Sequence, residues 1–538
     1  MEDHRLFKTL LSESLPAFAA DALLNILGDG SSSATVSVRL NPLKSLASDF
    51  PKDTLGDDMR QVPWCNNAFF LPERPNFTQD PSFHAGAYYV QDSSSMFPAL
   101  IADKILEALR QRRESTCHKH PGAVLDLCAS PGGKSTHLIS ILNDYPRRLH
   151  PISGGETQVA PVSLVICNEA VGKRVPPLTD NIAKWGAMNV IATNTSAAEL
   201  GRLEGVFDVI LADVPCSGEG MFRKSSDAVE GWSIRGVQDC AALQRSIIED
   251  VWPALRPGGI LVYSTCTYNH LENSDNVRYI AEELGADYVP LIDAPGLGFA
   301  DEAVPKGLVR LEWGYQFVPG LVPGEGQFFA VLRKHDVNNV HKETGKVSFA
   351  RTWKSVGAKR VKSVFEEICG SFEVTRGGEV QKPEVRFLLD SQKSQVYMLP
   401  AEDGISSLMK EVVQRLAKES PSIIKTVGCR VGEIKAGKII PDADLALSTA
   451  LLGAESGRIS VFPKRGGNES VLEFFCADID RETALKFLAR ENITPQPSWP
   501  RGYILLRYGG LGIGFVNNLG TRCNNLHPLM RRIFNKVL

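Results

Sequence analysis

The stretch that most restricts the fold is a short apolar run that ends in a loop of small residues. It covers Asp208–Met221, with the letters DVILADVPCSGEGM. A continuous apolar run of this length is typical of a strand buried on both faces of a parallel sheet. Asp213 and Cys216 would then lie at the carboxyl end of the strand, where open α/β sheets bind ligands.

A second stretch, Leu255–Thr267, has the same design of turn, apolar strand and polar tip, and Cys266 lies in its Ser-Thr-Cys-Thr tip. Two cysteines that each end a parallel-type strand indicate a reactive thiol site. The alternative is that both are small buried residues, since free cysteine is among the most often buried residue types. Spacing alone leaves both interpretations open.

Strands alternate with helices over residues 120–335, which predicts a doubly wound sheet. A helix is predicted over Asp239–Leu255, and Asn143–Pro161 is predicted to be a surface insertion rich in Pro, Gly, Arg and His. The predicted strands are Gly122–Cys128, Ser163–Glu169, Asn189–Thr193, Phe207–Asp213, Ile260–Ser264 and Gln327–Leu332.

The regions on either side of this sheet differ from it. Residues 5–28 have apolar side chains at helical spacing, and residues 34–41 alternate as in a strand. Several aromatic residues occur in the same region as the basic residues Arg39, Lys44 and Arg74. These side chains either stack on and pair with RNA or form the core of a small domain. The aromatic residues are Trp64, Phe69, Phe70 and Phe77.

Charge is distributed unevenly along the 538 residues. Residues 351–538 contain 28 Lys and Arg against 20 Asp and Glu, whereas residues 1–350 contain 31 against 42. This asymmetry predicts a polyanion partner for the C-terminal region, with ordinary surface variation as the alternative. The last 38 residues have no acid, and their basic residues are Arg501, Arg507, Arg522, Arg531, Arg532 and Lys536.

The composition also bears on compartment and metal. No run of 18 or more apolar residues occurs, and the N-terminus lacks the layout of a signal peptide, so we expect no membrane span and a cytoplasmic location. Eleven cysteines without a CxxC pair argue against a zinc site or a disulfide framework. Reduced thiols are therefore expected.

A cofactor site is predicted where the first strand meets its helix. The turn Cys128–Lys134, with the letters CASPGGK, is neither GxGxxG nor GxxxxGK[ST], so no nucleotide class follows from its pattern alone. A glycine turn there lets a ligand approach the N–H groups of a helix N-terminus. Glu169 ends the next strand, at a place where acids commonly bind ribose hydroxyls.

A nucleoside-containing cofactor beside a thiol suggests attack on an electron-poor carbon. Carbon 6 of a pyrimidine is such a carbon, and a thiolate bonded there makes carbon 5 nucleophilic enough to accept a methyl group. Asp213 could assist by hydrogen bonding near N3. A base must then remove the proton from carbon 5, and a second cysteine could help release the product.

The motifs as a set resemble the Sun-type (NSUN) RNA cytosine-carbon-5 methyltransferases, above all bacterial members that act on small-subunit ribosomal RNA. The resemblance spans about residues 30–335, and Gly432–Lys435 and Gly514–Arg532 resemble a C-terminal extension that ends in a PUA-like RNA-binding domain. The matching pieces are Tyr89–Asp92, Cys128–Lys134, Asp213–Gly218 and Ser264–Thr267.

The resemblance implies roles for individual residues. Cys266 would be the nucleophile, Cys216 would help release the product, and Asp213 would lie between methyl donor and base. S-adenosylmethionine would be bound through Glu169, Arg174 and Asp213 and through the turn residues Cys128, Ala129, Ser130, Pro131, Gly132, Gly133 and Lys134. Ser196 stands where the family usually has an aspartate that contacts adenine, which is a departure because serine has no charge.

The fold expected is an α/β, doubly wound, Rossmann-like methyltransferase sheet with a small α+β N-terminal domain and a PUA-like α+β extension. The expected partner is RNA, with no metal and a monomeric chain. Transfer RNA methylation and a non-catalytic RNA-binding assembly factor remain alternatives, and a DNA cytosine methyltransferase is disfavoured because it would not need Cys266. The predicted domains are 1–90 for RNA recognition, 91–335 for methyl transfer, 336–350 as linker, 351–450 as extension and 451–538 as the PUA-like domain.

Overall fold

The structure is a computed structural model. It describes residues 2–28, 35–44, 55–56, 58–102, 105, 122–149, 163–291, 304–335, 365–401, 403–462 and 468–534. The strands of these residues form three sheets with four, ten and eleven strands. The predicted linker 336–350 and Lys536 lie outside the described residues.

The N-terminal region begins with two helices, α1 (Glu2–Ser14) and α2 (Ala17–Gly28), where one periodic segment over 5–28 was expected. Pro16 separates them, because proline removes a helical hydrogen bond and clashes with the preceding turn. A four-stranded antiparallel sheet in the order β2-β3-β1-β4 follows, with α3 (Pro81–His84) before its last strand. Its strands are β1 (Val36–Leu40), β2 (Arg60–Val62), β3 (Cys65–Leu71) and β4 (Tyr88–Val90).

Two of the basic residues considered for RNA stacking are buried. Arg39 is 1% exposed and Lys44 is 3% exposed. The Lys44 ammonium donates to the carbonyl oxygens of Ala85 and Lys184. Trp64 and Phe70 are buried as well, so the core interpretation holds for these residues and the RNA-stacking one is wrong.

The ten-stranded sheet contains the predicted methyltransferase strands. Five parallel strands lie side by side in the order β9-β8-β5-β6-β7, and β13 pairs antiparallel with β9. The strands are β5 (Ala123–Asp126), β6 (Leu164–Asn168), β7 (Val190–Thr193), β8 (Phe207–Asp213), β9 (Leu255–Thr265), β10 (Ala286–Tyr288), β11 (Val309–Leu311), β12 (Gly314–Phe317) and β13 (Gln327–Lys334).

Helices connect these strands and cover both faces, as the continuous apolar runs of a parallel sheet require. The four central strands β5, β6, β7 and β8 are buried almost throughout. The helices are α4 (Gly133–Leu149), α5 (Val175–Trp185), α6 (Ala197–Gly201), α7 (Ser226–Glu230), α8 (Ile234–Val251) and α9 (Ser274–Glu283). The predicted doubly wound sheet is confirmed.

Two predicted boundaries are wrong for local reasons. Helix α8 begins at Ile234 because Ser233 caps it by accepting from Gly236 N, and it ends before Pro253 instead of reaching Leu255. Helix α4 continues to Leu149, so the first part of the predicted insertion is helical. The rest of that insertion, 150–161, lies outside the described residues.

The C-terminal region forms the third sheet and contains α10 (Asp403–Glu419), α11 (Ala443–Ala446) and α12 (Arg481–Leu488). The buried side chains of α10 belong to the same hydrophobic core as the methyltransferase strands. Its strands close into a ring, because β21 pairs with both β14 and β22. The strands of the region are β14 (Phe365–Arg376), β15 (Glu379–Gln381), β16 (Val385–Asp390), β17 (Gln395–Pro400), β18 (Ile424–Val427), β19 (Cys429–Lys435), β20 (Lys438–Pro441), β21 (Ser456–Phe462), β22 (Ser470–Asp478), β23 (Gly502–Tyr508), β24 (Leu511–Asn518) and β25 (Cys523–Asn525).

One strand of this region leaves the third sheet and joins the second. Strand β18 pairs antiparallel with β7, with Ile424 opposite Thr193 and Val427 opposite Ile191. The C-terminal region therefore completes the edge of the methyltransferase sheet, which the sequence did not indicate. The predicted division at residues 450 and 451 stays a prediction, and strands from both sides of it share the third sheet.

Arg531 also joins the two regions. Its guanidinium forms ion pairs with Asp180 on α5 and with Asp444 on α11, and its side chain is 17% exposed. Arg531 is one of the basic residues of the region expected to meet a polyanion, but two carboxylates already pair with it. Arg507 is likewise paired, with Asp478, whereas Arg501, Arg522 and Arg532 are exposed.

We expect Arg531→Ala to destabilise the protein by roughly 1–3 kcal/mol, because it removes a largely buried cation and leaves Asp180 with Lys184 and Asp444 with Arg430 as their remaining counter-charges. Thermal unfolding of the variant and the wild type measures the effect. Arg532→Ala is the matched control: its side chain is exposed, and the change should cost roughly 0.5 kcal/mol or less. Unchanged melting of Arg531→Ala together with lost RNA affinity would restore the phosphate-binding interpretation.

Candidate active site

The glycine turn between β5 and α4 is held from two sides. Ala129 N donates to Asn168 O at 2.8 Å, and Asn181 Nδ2 donates to Pro131 O at 2.8 Å. Gly132 has a φ of +110°, a conformation that glycine adopts without strain. The chain thereby reverses just before α4, whose first N–H groups have no partner within the helix.

Arg39 of the N-terminal sheet fixes the start of α4. Its guanidinium donates to Gly133 O at 3.1 Å and to Thr136 Oγ1 at 2.6 Å. Burial lowers the pKa of Arg39 to about 10, which leaves it charged at neutral pH. The N-terminal region therefore supports the cofactor turn from behind.

Glu169 follows β6 and lies at the same edge of the sheet as the turn. It is 3% exposed, and its Oε1 accepts from Val171 N at 2.8 Å. Its Oε2 is buried and has no hydrogen-bond partner among the described residues, with the Arg174 Nε 3.6 Å away. A buried carboxylate oxygen without a donor is suited to accept from the ribose hydroxyls of a nucleoside.

Arg174 and Ser196 differ in how close they come to this turn. Arg174 Nη2 donates to Ser130 O at 2.9 Å, and Ser130 Oγ donates to Arg174 O at 2.7 Å, so Arg174 lies directly on the turn. Ser196 is exposed and caps α6 by accepting from Glu199 N at 3.2 Å. Its predicted contact with adenine remains a prediction.

Asp213 ends β8, and its carboxylate is held by two neighbouring motifs. Lys134 Nζ donates to its Oδ2 at 2.8 Å, and Ser264 Oγ donates to its Oδ1 at 2.7 Å. Burial opposes the charge of Lys134, but the Asp213 carboxylate outweighs it and raises the pKa of the lysine. Lys134 therefore stays charged beside the glycine turn.

Cys216 and Cys266 meet in front of Asp213. Their sulfur atoms are 3.0 Å apart, although 50 residues separate them in the chain. The contact with Cys266, together with burial, raises the pKa of Cys216 well above its ordinary value. Cys216 therefore resists ionisation, and its thiol can act as the donor in this contact.

Two buried acids lock the loops that carry these cysteines. Glu219, on the Cys216 loop, accepts from Tyr268 N at 2.8 Å and Asn269 N at 3.2 Å on the Cys266 loop. Glu272, on the Cys266 loop, accepts from Ser217 N at 3.0 Å on the Cys216 loop. Each loop thus supplies a carboxylate that binds the backbone of the other.

Asn269 connects the two carboxylates. Its Nδ2 donates to Glu219 Oε1 at 3.0 Å and to Glu272 Oε1 at 2.8 Å, and the three side chains are at most 1% exposed. Close approach of the loops also requires Gly220, since a Cβ there would lie 2.7 Å from Cys266 O. Sequence reasoning missed these acids, although an acid between two glycines and a polar run after Thr267 were signals for them.

Asp126 is a further buried acid that was not predicted. It ends β5 beneath the glycine turn, and its Oδ2 accepts from Ser135 Oγ at 2.6 Å. Burial raises the pKa of Asp126 to about 7, although the Ser135 hydrogen bond offsets part of this effect. Its charge therefore changes close to neutral pH.

Three family models match separate segments of the chain. The N-terminal domain of 16S rRNA methyltransferase RsmF matches residues 5–93, 16S rRNA methyltransferase RsmB/F matches residues 154–333, and the methyltransferase RsmF PUA domain matches residues 474–533. The chain belongs to the RsmB/F family. The N-terminal and PUA matches make it an RsmF-type member. The predicted family, the predicted cytosine-carbon-5 methylation of ribosomal RNA and the predicted use of S-adenosylmethionine are thereby confirmed.

Relatives of this RsmB/F-family chain match it over different lengths. Ribosomal RNA small subunit methyltransferase F of Aeromonas salmonicida (strain A449) is 28% identical, over 91% of this chain and 90% of the relative. The protein of the same name from Klebsiella pneumoniae (strain 342) is 34% identical over 55% and 57%. The crystal structure of NSun6 from Pyrococcus horikoshii with SFG is 18% identical, covers 61% of this chain and 97% of its own, and has a TM-score of 0.43.

Two properties of the RsmB/F-family chain concern only its described residues. None of their His, Cys, Asp and Glu side chains form a group of three or more that could hold a metal ion. None of their helices is long and apolar enough to cross a membrane.

The raised pKa of Asp126 predicts a pH-dependent stability. The carboxyl of an unfolded aspartate ionises near pH 3.9, whereas that of folded Asp126 ionises at about 7. Between these values the folded state binds more protons, so stability should fall as the pH rises from about 4 to about 7, by at most about 4 kcal/mol. Asp126→Asn should lose this dependence.

The measurement is the melting temperature of wild type and variant at a series of pH values. Asp239→Asn serves as control, because the Asp239 side chain is 75% exposed. Parallel curves for wild type and Asp126→Asn would contradict the assignment of the proton to Asp126.

Proposed function

We propose that the methylation of carbon 5 of cytosine in 16S ribosomal RNA by this chain proceeds through a covalent bond between Cys266 and carbon 6 of the base. The observation that supports this most strongly is the 3.0 Å separation of the Cys216 and Cys266 sulfur atoms beside Asp213 and the glycine turn. A lone buried cysteine would need none of these neighbours.

The cofactor would lie on the turn Cys128–Lys134. The unpartnered Oε2 of Glu169 would accept from its ribose hydroxyls, Arg174 would keep Ser130 and the turn in place, and Ser196 would face the adenine. S-adenosylmethionine supplies the methyl group when it is bound. Asp213, held by Lys134 and Ser264, would separate this turn from the base.

Cys266 is the better nucleophile of the two cysteines. Cys216, whose pKa is raised, would donate to its sulfur, and a hydrogen bond to the charged form favours a thiolate. The thiolate electron pair would form the bond to carbon 6, and the ring electrons would move toward N3 and carbon 5. The ion pair of Asp213 and Lys134 would stabilise the ring by hydrogen bonds near N3.

Cys216 would act after the methyl group has been transferred. The contact with Cys266 is the largest cause of its raised pKa, and this contact changes once Cys266 is bonded to carbon. Cys216 is then easier to ionise and could assist removal of the carbon-5 proton. The electron pair of that C–H bond would restore the double bond and release the Cys266 thiolate.

The C-terminal region would bind the RNA. Its net positive charge and its exposed Arg501, Arg522 and Arg532 suit phosphate contacts. One chain supplies both cysteines and the cofactor turn, so a monomer suffices. The free cysteines suit the reducing cytoplasm, where we expect the enzyme to act.

Cys266→Ala should abolish methyl transfer to 16S rRNA while S-adenosylmethionine still binds, because carbon 5 cannot become nucleophilic without the bond at carbon 6. Cys216→Ala should instead accumulate a protein–RNA complex that survives denaturing electrophoresis. Bisulfite sequencing of ribosomal RNA from cells with and without the gene product tests the reaction itself.

Cys240→Ala is the control, since Cys240 lies on α8 outside the site. Turnover by Cys266→Ala with a covalent complex in Cys216→Ala absent would reverse the two roles. Unchanged methylation of ribosomal RNA in cells without the gene product, with methylation of transfer RNA lost, would favour the transfer RNA alternative.

Glu169→Gln should weaken S-adenosylmethionine binding about tenfold to a hundredfold. It keeps the size of the side chain but removes the charge that would accept from the ribose, a hydrogen bond worth roughly 1.5–3 kcal/mol. Calorimetry measures the affinity, and Glu249→Gln on the exposed side of α8 is the control. An unchanged affinity would remove Glu169 from the cofactor site.

A further inference from the structure

Gln327 is a buried glutamine at the border of the site. It lies outside the motifs quoted above, and the proposed reaction gives it no role. It is the first residue of β13 and is 3% exposed. The strand places it opposite Phe317 on β12, next to the tip of β9. The residues that follow it, Phe328–Leu332, are fully buried and apolar apart from their backbone.

The Gln327 amide contacts two functional loops at once. Its Nε2 donates to Thr265 O at 2.8 Å and lies 3.3 Å from Asp213 Oδ1. Thr265 O belongs to the peptide that joins Thr265 to Cys266. One amide group therefore contacts both the carboxylate proposed to face the base and the backbone of the proposed nucleophile.

An amide in this position is costly unless its polar atoms are satisfied. An apolar side chain would suit the neighbouring phenylalanines equally well and would avoid that cost. The Asp213 carboxylate, however, needs donors on both oxygens to stay in one orientation: Lys134 serves Oδ2, while Ser264 and Gln327 serve Oδ1. Gln327 is the donor that also reaches the Cys266 loop.

We propose that Gln327 is a positioning residue that fixes the distance between the Asp213 carboxylate and the Cys266 sulfur. This rests on the proposed function of both residues. Gln327 does not touch the base or the cofactor in this scheme. It acts through Asp213 and through the Thr265 carbonyl.

Gln316 offers a matched comparison one strand away. It is also a fully buried glutamine, on β12 opposite Phe328. Its Nε2 donates to Phe317 O at 3.1 Å, and its Oε1 accepts from Asn273 at 3.4 Å. It does not contact Asp213 or the Thr265 carbonyl, so a change there should affect folding without altering the titration of the site.

The test uses the full-length protein with 16S rRNA and S-adenosylmethionine, and wild-type turnover is measured first in the same assay. Gln327→Met keeps the size of the side chain and removes both donations. We expect kcat to fall about tenfold to a hundredfold, the effect of losing a hydrogen bond to a charged group. KM for RNA and the affinity for S-adenosylmethionine should change less than about twofold, because Gln327 binds neither.

Gln327→Glu tests the positioning role through the pH dependence of kcat, which should not change if Gln327 has only a packing role. It places a second carboxyl group beside Asp213, and two carboxylates this close resist joint ionisation. The acidic limb of the pH–kcat profile should lie at a pH about one unit or more above that of the wild type, so the ratio of variant to wild-type activity should rise with pH across this limb. Gln316→Glu should leave the position of this limb unchanged.

The outcomes separate the two proposals. An unmoved acidic limb in Gln327→Glu, with melting temperatures lowered as in Gln316→Glu, would overturn the positioning role and leave Gln327 as a packing residue. A Gln327→Met variant as active as wild type would overturn it too. Absence of turnover in the wild type would instead contradict the proposed function.

Discussion

The parallel pairing of β8 with β9 sets the geometry of the site. Its register places Asp213 opposite Ser264, so the residues that follow the two strands begin their loops side by side. Cys216 comes three residues after Asp213 and Cys266 two after Ser264. A shift of the register by one residue would turn Ser264 and Cys266 to the other face of the sheet, because side chains alternate along a strand.

Pairing alone brings the loops together but does not hold them there. The backbone N–H and C=O groups of a loop that follows a parallel strand are not paired by the sheet. Where these groups are buried, they need other hydrogen-bonding partners. Here Glu219 and Glu272 accept from the backbone of the opposite loop and share the Asn269 amide. Such a buried polar network permits few alternative arrangements when every member is satisfied. The sulfur separation is therefore a property of the surrounding network as much as of the two cysteines.

The sheet and the grouping of the site residues could be predicted from the sequence, because both follow from patterns within short segments. Apolar runs located β5 to β9, and the rule that ligands bind at the carboxyl ends of parallel strands grouped Cys128, Glu169, Asp213 and Cys266. Pro16 indicates the break between α1 and α2. The break was not predicted because the apolar spacing continues over both helices.

The remaining features depend on partners far away in the chain. Nothing near Arg39, Gln327 or Arg531 in the sequence indicates that each is buried against a group more than 80 residues distant. A basic residue in an acid-free tail is usually exposed, so Arg531 was assigned to RNA. The residues that connect distant segments are polar side chains in largely buried positions, where apolar side chains are more usual.

The pairing of β18 with β7 affects how a shortened form of the protein would behave. An edge strand with free N–H and C=O groups is a template for association with other chains. In this fold β7 is kept from that role by a segment that follows it by more than 200 residues. A chain shortened before β18 would keep Cys216, Cys266 and the cofactor turn but present an open, apolar sheet edge beside Thr193. We therefore expect the catalytic half, when it is separated from the region that follows it, to associate through this sheet edge.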